Sequence, residues 1–270
     1  MSQVASAYLD IRALEALAGM ESTVHRLDPR AKLVTTLVFI VAVVSFGRYE
    51  ISALLPFFLF PAALVGMGRL PLSVLSRKLL LAAPFVLLVG IFNPLIDRET
   101  LLVLGPLEVS GGWVSLASLA LRFVLSVGAV LILIATTGMQ GIALALGRLG
   151  APRVLVVQLL FLYRYLFVLV EEGSRLVRAR AQRSFGSRGL GIGVFAHLLR
   201  QWLLRTLDRA GRIHLAMLGR GFDGEVHLLR RLHFGRREAL FTLGWSAAFL
   251  AFRLVNLPRL LGGLITEVMR

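Results

Sequence analysis

Apolar residues are concentrated in long runs along this chain, and short polar turns separate the runs. With their flanking turns, five of the runs reach the roughly 20 residues that a helix needs to cross a bilayer. The pattern therefore predicts an all-α integral membrane protein with about five transmembrane helices. The predicted spans are residues 33–46, 51–67, 79–96, 114–137 and 240–255.

The region from Gly138 to Glu238 has a different pattern, because charged residues interrupt its apolar runs. Apolar residues recur there at helical spacing with arginines between them, which predicts two long helices. The first is expected from Pro152 to about Arg183 and the second from 190 to about 219. The chain thus divides into residues 1–137 with the first four spans, a charged module at 138–238, and residues 239–270 with the last span and a tail.

Charge sets the expected orientation of these spans. The chain has 30 Lys and Arg against 15 Asp and Glu, 57% hydrophobic residues and a mean hydropathy of +0.80. Basic residues mark the cytoplasmic loops of membrane proteins. A cytoplasmic N-terminus places 26–32, 69–78 and the 138–238 module inside, whereas the opposite loops keep only Arg48 and Arg98. The expected location is the bacterial inner membrane, with several spans and a cytoplasmic module. The C-terminal end would lie outside although it is basic, so it is an exception to this charge rule.

Two segments of the module share a frame of Arg, three residues, Ala, three residues, Arg, a small residue and Phe. One copy runs from Arg175 to Phe185 and the other from Arg212 to Phe222. Spacings of four and eight keep the three frame residues near one face of a helix. Each copy therefore predicts a helix whose end presents an arginine beside small residues. An alternative is that these arginines only stabilise helix C-termini or contact lipid head groups.

With these motifs, the chain resembles the transmembrane coupling subunit of energy-coupling-factor (ECF) transporters, and within that family the cobalt-type subunit CbiQ. The resemblance covers nearly the whole chain and is strongest over 150–225. It is carried by 25–33 (HRLDPRAKL), 163–172 (YRYLFVLVEE), the two repeats and, above all, 216–225 (AMLGRGFDGE).

This resemblance implies a non-catalytic scaffold in an ATP-driven importer. The family joins two cytoplasmic ABC-type ATPase subunits to a substrate-binding membrane subunit, which for the cobalt branch would be CbiM-like. Two signatures similar to Ala-Arg-Gly, at the ends of the coupling helices, insert into the ATPases. The first signature departs further from the family pattern, and Arg180 is an alternative to its arginine. The matching residues here are Gln182, Arg183 and Ser184, and Gly219, Arg220 and Gly221.

Other chemistry finds little support in the sequence. There is no G-x4-G-K-[ST] phosphate loop, so ATP is expected to bind to partner subunits. The absence of cysteine excludes disulfides and thiolate ligands. The five histidines are scattered, and only His227 and His233 could share a loop site, so no cofactor or metal is expected in this chain.

Three alternatives stay open at this stage. The cargo could be nickel or a vitamin instead of cobalt. A self-contained secondary transporter would need ionisable residues near the membrane midplane, where the spans offer little beyond Arg122 and Arg253. A membrane-anchored nucleic-acid-binding protein would need aromatic residues exposed among its arginines. The aromatic residues of 161–167 lie in an apolar helix, so no nucleic acid partner is expected.

Overall fold

The computed structural model describes residues 15–96, 100–104, 107–183, 191–224 and 234–254. The predicted all-α fold is confirmed, with one short antiparallel hairpin inside the expected polar loop 97–112. The elements are α1 (Thr23–Arg26), α2 (Pro29–Val44), a 3-10 helix (Ser52–Phe58), α3 (Leu59–Gly68), α4 (Leu72–Gly90), α5 (Asn93–Ile96), β1 (Thr100–Leu104), β2 (Leu107–Ser110), α6 (Gly111–Arg148), α7 (Arg153–Arg183), α8 (Ile192–Leu218) and α9 (Arg236–Leu254).

Three helices within the described ranges are long and apolar enough to cross a membrane, namely α4, α6 and α7. Helix α6 covers the predicted span 114–137, whereas α4 begins earlier than the predicted span 79–96 and already ends at Gly90. Pro94 lacks the N–H that would continue the helix past that point. Helix α7 was expected in the charged module, and it qualifies although Arg164 lies in its apolar half. The remaining predicted spans, 33–46, 51–67 and 240–255, correspond to helices that are shorter or carry charges near their ends. Their crossing of the membrane stays a prediction.

The expected basic loop over residues 68–78 is wrong in its extent. Helix α3 ends at Gly68, the following Arg69 adopts a left-handed backbone with φ of 51°, and α4 already begins at Leu72. Arg77 and Lys78 are therefore helical. The physical reason is that no Gly or Pro occurs between Leu72 and Pro84, so nothing in that segment ends a helix.

An aromatic core joins the first and last predicted spans. Phe39 of α2, Phe57 of the 3-10 helix, Phe60 of α3 and Phe249 of α9 are each at most 1% exposed. Neighbouring ring centroids in this group lie 4.8 to 6.0 Å apart, the separation at which aromatic side chains stabilise one another. Burial of these rings fixes α9 against α2 despite about 200 residues between them along the chain.

The chain divides into two compact units. The core unit consists of Leu14–Ile142 and Leu232–Arg270 and contains α1 to α5, the hairpin, most of α6, and α9. The two-helix unit consists of Met1–Ala13 and Ala143–Arg231 and contains α7 and α8. Of the two, the two-helix unit carries both predicted arginine signatures.

Candidate coupling site

The end of α8 is built around Gly221. Its φ of 79° is a left-handed conformation that glycine adopts at little cost. The Phe222 N–H donates to Met217 O and the Gly221 N–H donates to Leu218 O, both at 3.0 Å. This pair of bonds is the Schellman motif that terminates helices. Arg220 is the residue just before the left-handed glycine, so the motif presents its side chain at the very end of the helix.

Phe222 anchors this helix end to α7. Its ring lies 6.3 Å from the ring of Phe161, measured between centroids. The phenylalanine after the small residue in the repeated frame thus has a structural role that the sequence analysis did not assign. It holds the turn that carries Arg220 in place, while Gly219, Arg220 and Gly221 themselves stay exposed.

The first signature lies at the other helix end of the unit. Helix α7 ends at Arg183, with Gln182 and Arg183 exposed in its last turn. Ser184 lies outside the described residues. Neither Arg183 nor Arg220 has a hydrogen-bond or ion-pair partner in the part of the chain that the structure describes. Arg180, the alternative for the first signature, already interacts within the chain.

Helices α7 and α8 pack through a tryptophan and an ion pair. Trp202 Nε1 donates to Leu169 O at 3.2 Å, and its ring lies 3.6 Å from the position that a Cβ at Gly173 would take. Glycine at 173 therefore leaves room for the indole. Arg205 Nη1 is 3.2 Å from Glu172 Oε1 on the facing helix.

The charged residues at 171–175 form one ion pair within α7 and one ion pair with α8. Spacings of three and four residues favour ion pairs within α7 between Arg175 and the two carboxylates Glu171 and Glu172. The Glu171–Arg175 pair is present at 2.6 Å. Glu172 instead pairs with Arg205 across the helix interface, because α8 brings an arginine to that face of α7. This pairing depends on the packing of two helices, so the spacing of residues within one helix does not reveal it.

The two signatures lie at opposite ends of the helix pair. Trp202 contacts α7 at Gly173 while Phe222 contacts it at Phe161, so α8 runs antiparallel to α7. The chain from Phe161 to Arg183 is continuous helix. At about 1.5 Å rise per residue, the end of α8 lies roughly 33 Å along α7 from Arg183. Such a separation allows each arginine to contact a different partner molecule.

A large apolar surface remains uncovered on this unit. Helix α8 has no buried residue among those described. A cavity of about 440 Å³ opens between α7 and α8, with Phe161, Tyr165, Ile213 and Met217 in its lining. Contiguous apolar surface of this kind marks a contact with another protein or with the membrane. The exposed apolar side chains of α8 are Ile192, Val194, Phe195, Leu199, Leu203, Leu204, Leu207, Leu215 and Leu218.

The two arginines inside predicted spans both bind the turn that follows α2. Arg122 donates to Gly47 O and, at 3.1 Å, to Ser118 Oγ. Arg253 donates to Ser45 Oγ at 3.1 Å and to Ser45 O at 3.3 Å. Both side chains thus reach carbonyls at a helix end, as snorkelling arginines do. Hydrogen bonds within the chain therefore account for both arginines, which were the ionisable residues that the sequence offered for a secondary transporter.

Metal ligation has no support in the described ranges. No group of three or more His, Asp or Glu residues there could hold a metal ion. His25 is instead part of a local turn, with Nε2 3.0 Å from Leu17 O and Nδ1 2.7 Å from Ser22 Oγ. His227 and His233, the pair considered from the sequence, lie outside the described residues.

Known proteins are similar in sequence to this chain over the same helices. The sequence model of the CbiQ family, described as cobalt transport protein, matches residues 20–228. The energy-coupling factor transporter transmembrane protein EcfT of Bacillus subtilis is 28% identical over 75% of this chain and 82% of its own. EcfT of Bacillus selenitireducens is 27% identical over 90% of this chain and 95% of its own. The cobalt transport protein CbiQ of Rhodobacter capsulatus is 30% identical over 35% of this chain and 39% of its own. Because the family match runs from α1 through α8 and includes both arginine signatures, this chain belongs to the CbiQ family.

Proposed function

We propose that this chain is the transmembrane coupling subunit of an ECF-type ABC importer. The observation that carries the proposal is the pair of exposed arginines, Arg183 and Arg220, at the ends of two antiparallel helices. Each is held at a helix terminus and neither is neutralised within the described part of the chain. The EcfT relatives, whose names describe a transmembrane protein of such transporters, support the same role.

In this proposal the chain performs no chemistry itself. Two ATPase subunits bind ATP and close, and each grips one helix end through its arginine. A guanidinium inserted between carboxylates or carbonyls makes charge-assisted, often bidentate bonds. Closure then moves α7 and α8 together, and the membrane helices shift the substrate-binding subunit between outward and inward states. Because the two attachment points lie about 33 Å apart along the helix pair, the two ATPases can exert a torque on it.

The exposed apolar face of α8 is proposed to contact the substrate-binding membrane subunit. A membrane partner would cover the leucines that the chain leaves uncovered, and burial of apolar surface favours association. The cargo proposed is cobalt, as the family description and the Rhodobacter capsulatus relative suggest. Nickel and vitamins are the competing cargoes, and uptake measurements with each would decide between them.

The decisive experiment compares single and double replacements of the two arginines in the assembled transporter. We expect Arg220→Ala and Arg183→Ala each to weaken ATPase binding, with losses on the order of 2–5 kcal/mol for a buried interfacial charge. Arg220→Ala should be the more damaging, because the second signature is nearer to the family pattern. Lysine at either position should restore little, since an ammonium lacks the planar fork of arginine.

Arg200→Ala provides the matched control, because Arg200 is equally exposed on α8 and belongs to neither signature. Co-purification of the ATPase subunits, ATP hydrolysis and cobalt uptake would be measured for every variant. If the double variant retains its ATPases and transports cobalt like the control, the arginines are ordinary helix-end charges and the proposal fails.

A further inference from the structure

Helix α6 is interrupted at Gly138. The residue has φ of 70° and ψ of 157°, so α6 consists of two helical stretches, 111–137 and 139–148. A helix that stops at 137 leaves its last four carbonyls without partners inside the helix. The carbonyl of Thr136 is one of these. The interruption coincides with the boundary predicted between the fourth span and the charged module.

Lys32 of α2 caps the interrupted helix. Its Nζ donates to Thr136 O at 2.8 Å, although the two residues are 104 positions apart. Lys32 is 4% exposed and Thr136 is 3% exposed. An ammonium at a helix C-terminus interacts favourably with the helix dipole as well as with the free carbonyl. Lys32 thus occupies the place that the next turn of α6 would have filled.

Residues that precede Lys32 also lie close to the bend. A Cβ at Gly138 would lie 3.3 Å from Ala18 Cβ, and a Cβ at Gly141 would lie 3.7 Å from Pro29 Cγ. Pro29 is itself fixed at the start of α2, because Asp28 Oδ1 accepts the Arg30 N–H at 2.8 Å. Residues 18–32 therefore bond to α6 before its interruption, through Lys32, and lie beside it at Gly138 and Gly141.

A buried lysine would be an unfavourable choice if its only role were to stabilise the fold. Burying an ammonium removes it from water, and apolar packing of similar volume usually stabilises a protein as well or better. Asp28 Oδ2 and Thr137 Oγ1 are also buried, and within the described structure they have no hydrogen-bond partner. What a directed bond to a carbonyl provides, and apolar packing does not, is a defined attachment of the start of α2 to the residue at which the first stretch of α6 ends.

We propose that Lys32 is a positioning residue that fastens the bend of α6 to α2, so that movement of α7 and α8 reaches the membrane helices instead of being absorbed at Gly138. The inference rests on the proposed coupling function. From Gly138 the chain needs only ten residues to the end of α6 and five more to the start of α7 at Arg153. A bend free to hinge at that point would decouple the ATPases from transport.

The test measures coupling and bend geometry separately, in the complete transporter reconstituted in vesicles. Lys32→Met removes the donor and keeps the length of the side chain, while Lys32→Arg keeps a cationic donor. Lys78→Met is the control at the only other lysine of the chain. Spin labels on cysteines at Val130 and Gln140 report the bend, because these two exposed positions flank it and the chain has no native cysteine.

For Lys32→Met we expect ATP hydrolysis to remain while cobalt uptake per ATP falls roughly tenfold, within the range of coupling changes that single residues cause. The distance distribution between the labels should broaden, and Lys32→Arg should restore both properties. Wild-type uptake, or an unchanged distance distribution, in Lys32→Met would overturn the proposal. Loss of the assembled complex would also overturn it, because Lys32 would then be needed for folding and not for transmission.

The same measurements separate this inference from the proposed function. Arg220→Ala should impair ATPase binding and leave the label distances unchanged. If the chain is not a coupling subunit, neither Arg220→Ala nor Lys32→Met changes ATP-driven uptake. In that case Lys32→Met still broadens the label distances if the fastening is real.

Discussion

Gly221 shows how a single residue can serve both the fold and the candidate site. The sequence suggests that small neighbours of Arg220 let a partner surface come close. The structure adds a backbone reason, since the φ of Gly221 is 79° and nothing lies within 4 Å of the position that a Cβ would take. Space is therefore available for a side chain in the isolated subunit, whereas the backbone conformation disfavours one.

Gly221→Ala therefore tests whether the left-handed backbone at this position matters. A left-handed alanine costs about 1–2 kcal/mol, so the end of α8 should fray or rearrange and shift Arg220. Gly221→Asn should be milder, because asparagine tolerates the left-handed region. Gly219→Ala is the control, since Gly219 has a helical φ of −63° and a Cβ there would lie at an ordinary 3.5 Å from Leu215 O. Hydrogen exchange at residues 215–222 would be compared, because it reports the backbone of the helix end directly. Equal behaviour of the two alanine variants would contradict a backbone role for Gly221.

Among the elements, the pair α7 and α8 is the part that the sequence described best. Helical spacing of apolar residues placed the two helices within two residues of their observed bounds, and the repeated frame located both helix ends. The pattern could not reveal which faces meet. The partners Leu169 and Trp202, and Glu172 and Arg205, come from opposite helices, and their pairing depends on a crossing that no local period encodes.

The predicted end of the fourth span at Thr137 coincides with the interruption of α6, but the continuation of the helix beyond Gly138 was not predicted, for a related reason. A lone glycine inside an apolar run is compatible with a continuous helix, and the sequence offered no stop signal there beyond the end of the apolar segment. The buried Lys32 that caps the bend entered the sequence analysis only as a cytoplasmic charge and as part of the segment that carries the resemblance. Its role follows from a contact 104 residues away along the chain, which periodicity does not encode.

Trp202 should be the main link between α7 and α8. Trp202→Ala removes the indole packed on Gly173 and the bond to Leu169 O, with an expected loss of roughly 2–3 kcal/mol because the side chain is only half-buried. Trp202→Phe keeps most packing and loses only the hydrogen bond, about 1 kcal/mol. Arg205→Ala breaks an exposed ion pair and should lose less than about 1 kcal/mol. Thermal unfolding of the detergent-solubilised protein would rank the three variants. A larger loss for Arg205→Ala than for Trp202→Ala would show that charge, and not packing, joins the helices.

The orientation of the whole molecule depends on whether α7 crosses the membrane. Length and composition permit it to do so. However, α7 carries arginines through its second half, including Arg175 and Arg183, and basic residues are retained on the cytoplasmic side. If α7 crossed, α8 and both signatures would be separated by the membrane from the module's predicted start at Gly138. Coupling to ATPases that use cytoplasmic ATP requires the opposite arrangement.

Cysteine labelling distinguishes the two topologies, because the chain contains no native cysteine. We expect a cysteine at Gln201, exposed on α8, to resist a membrane-impermeant maleimide added to intact cells and to react once the cells are opened. A cysteine at Glu50, in the turn after α2, should react from outside and serves as the positive control. Reaction of both positions in intact cells would place α8 outside and make α7 a membrane span. It would also remove Arg220 from the reach of cytoplasmic ATPases, since the charged second half of α7 would then have crossed against the arginine rule.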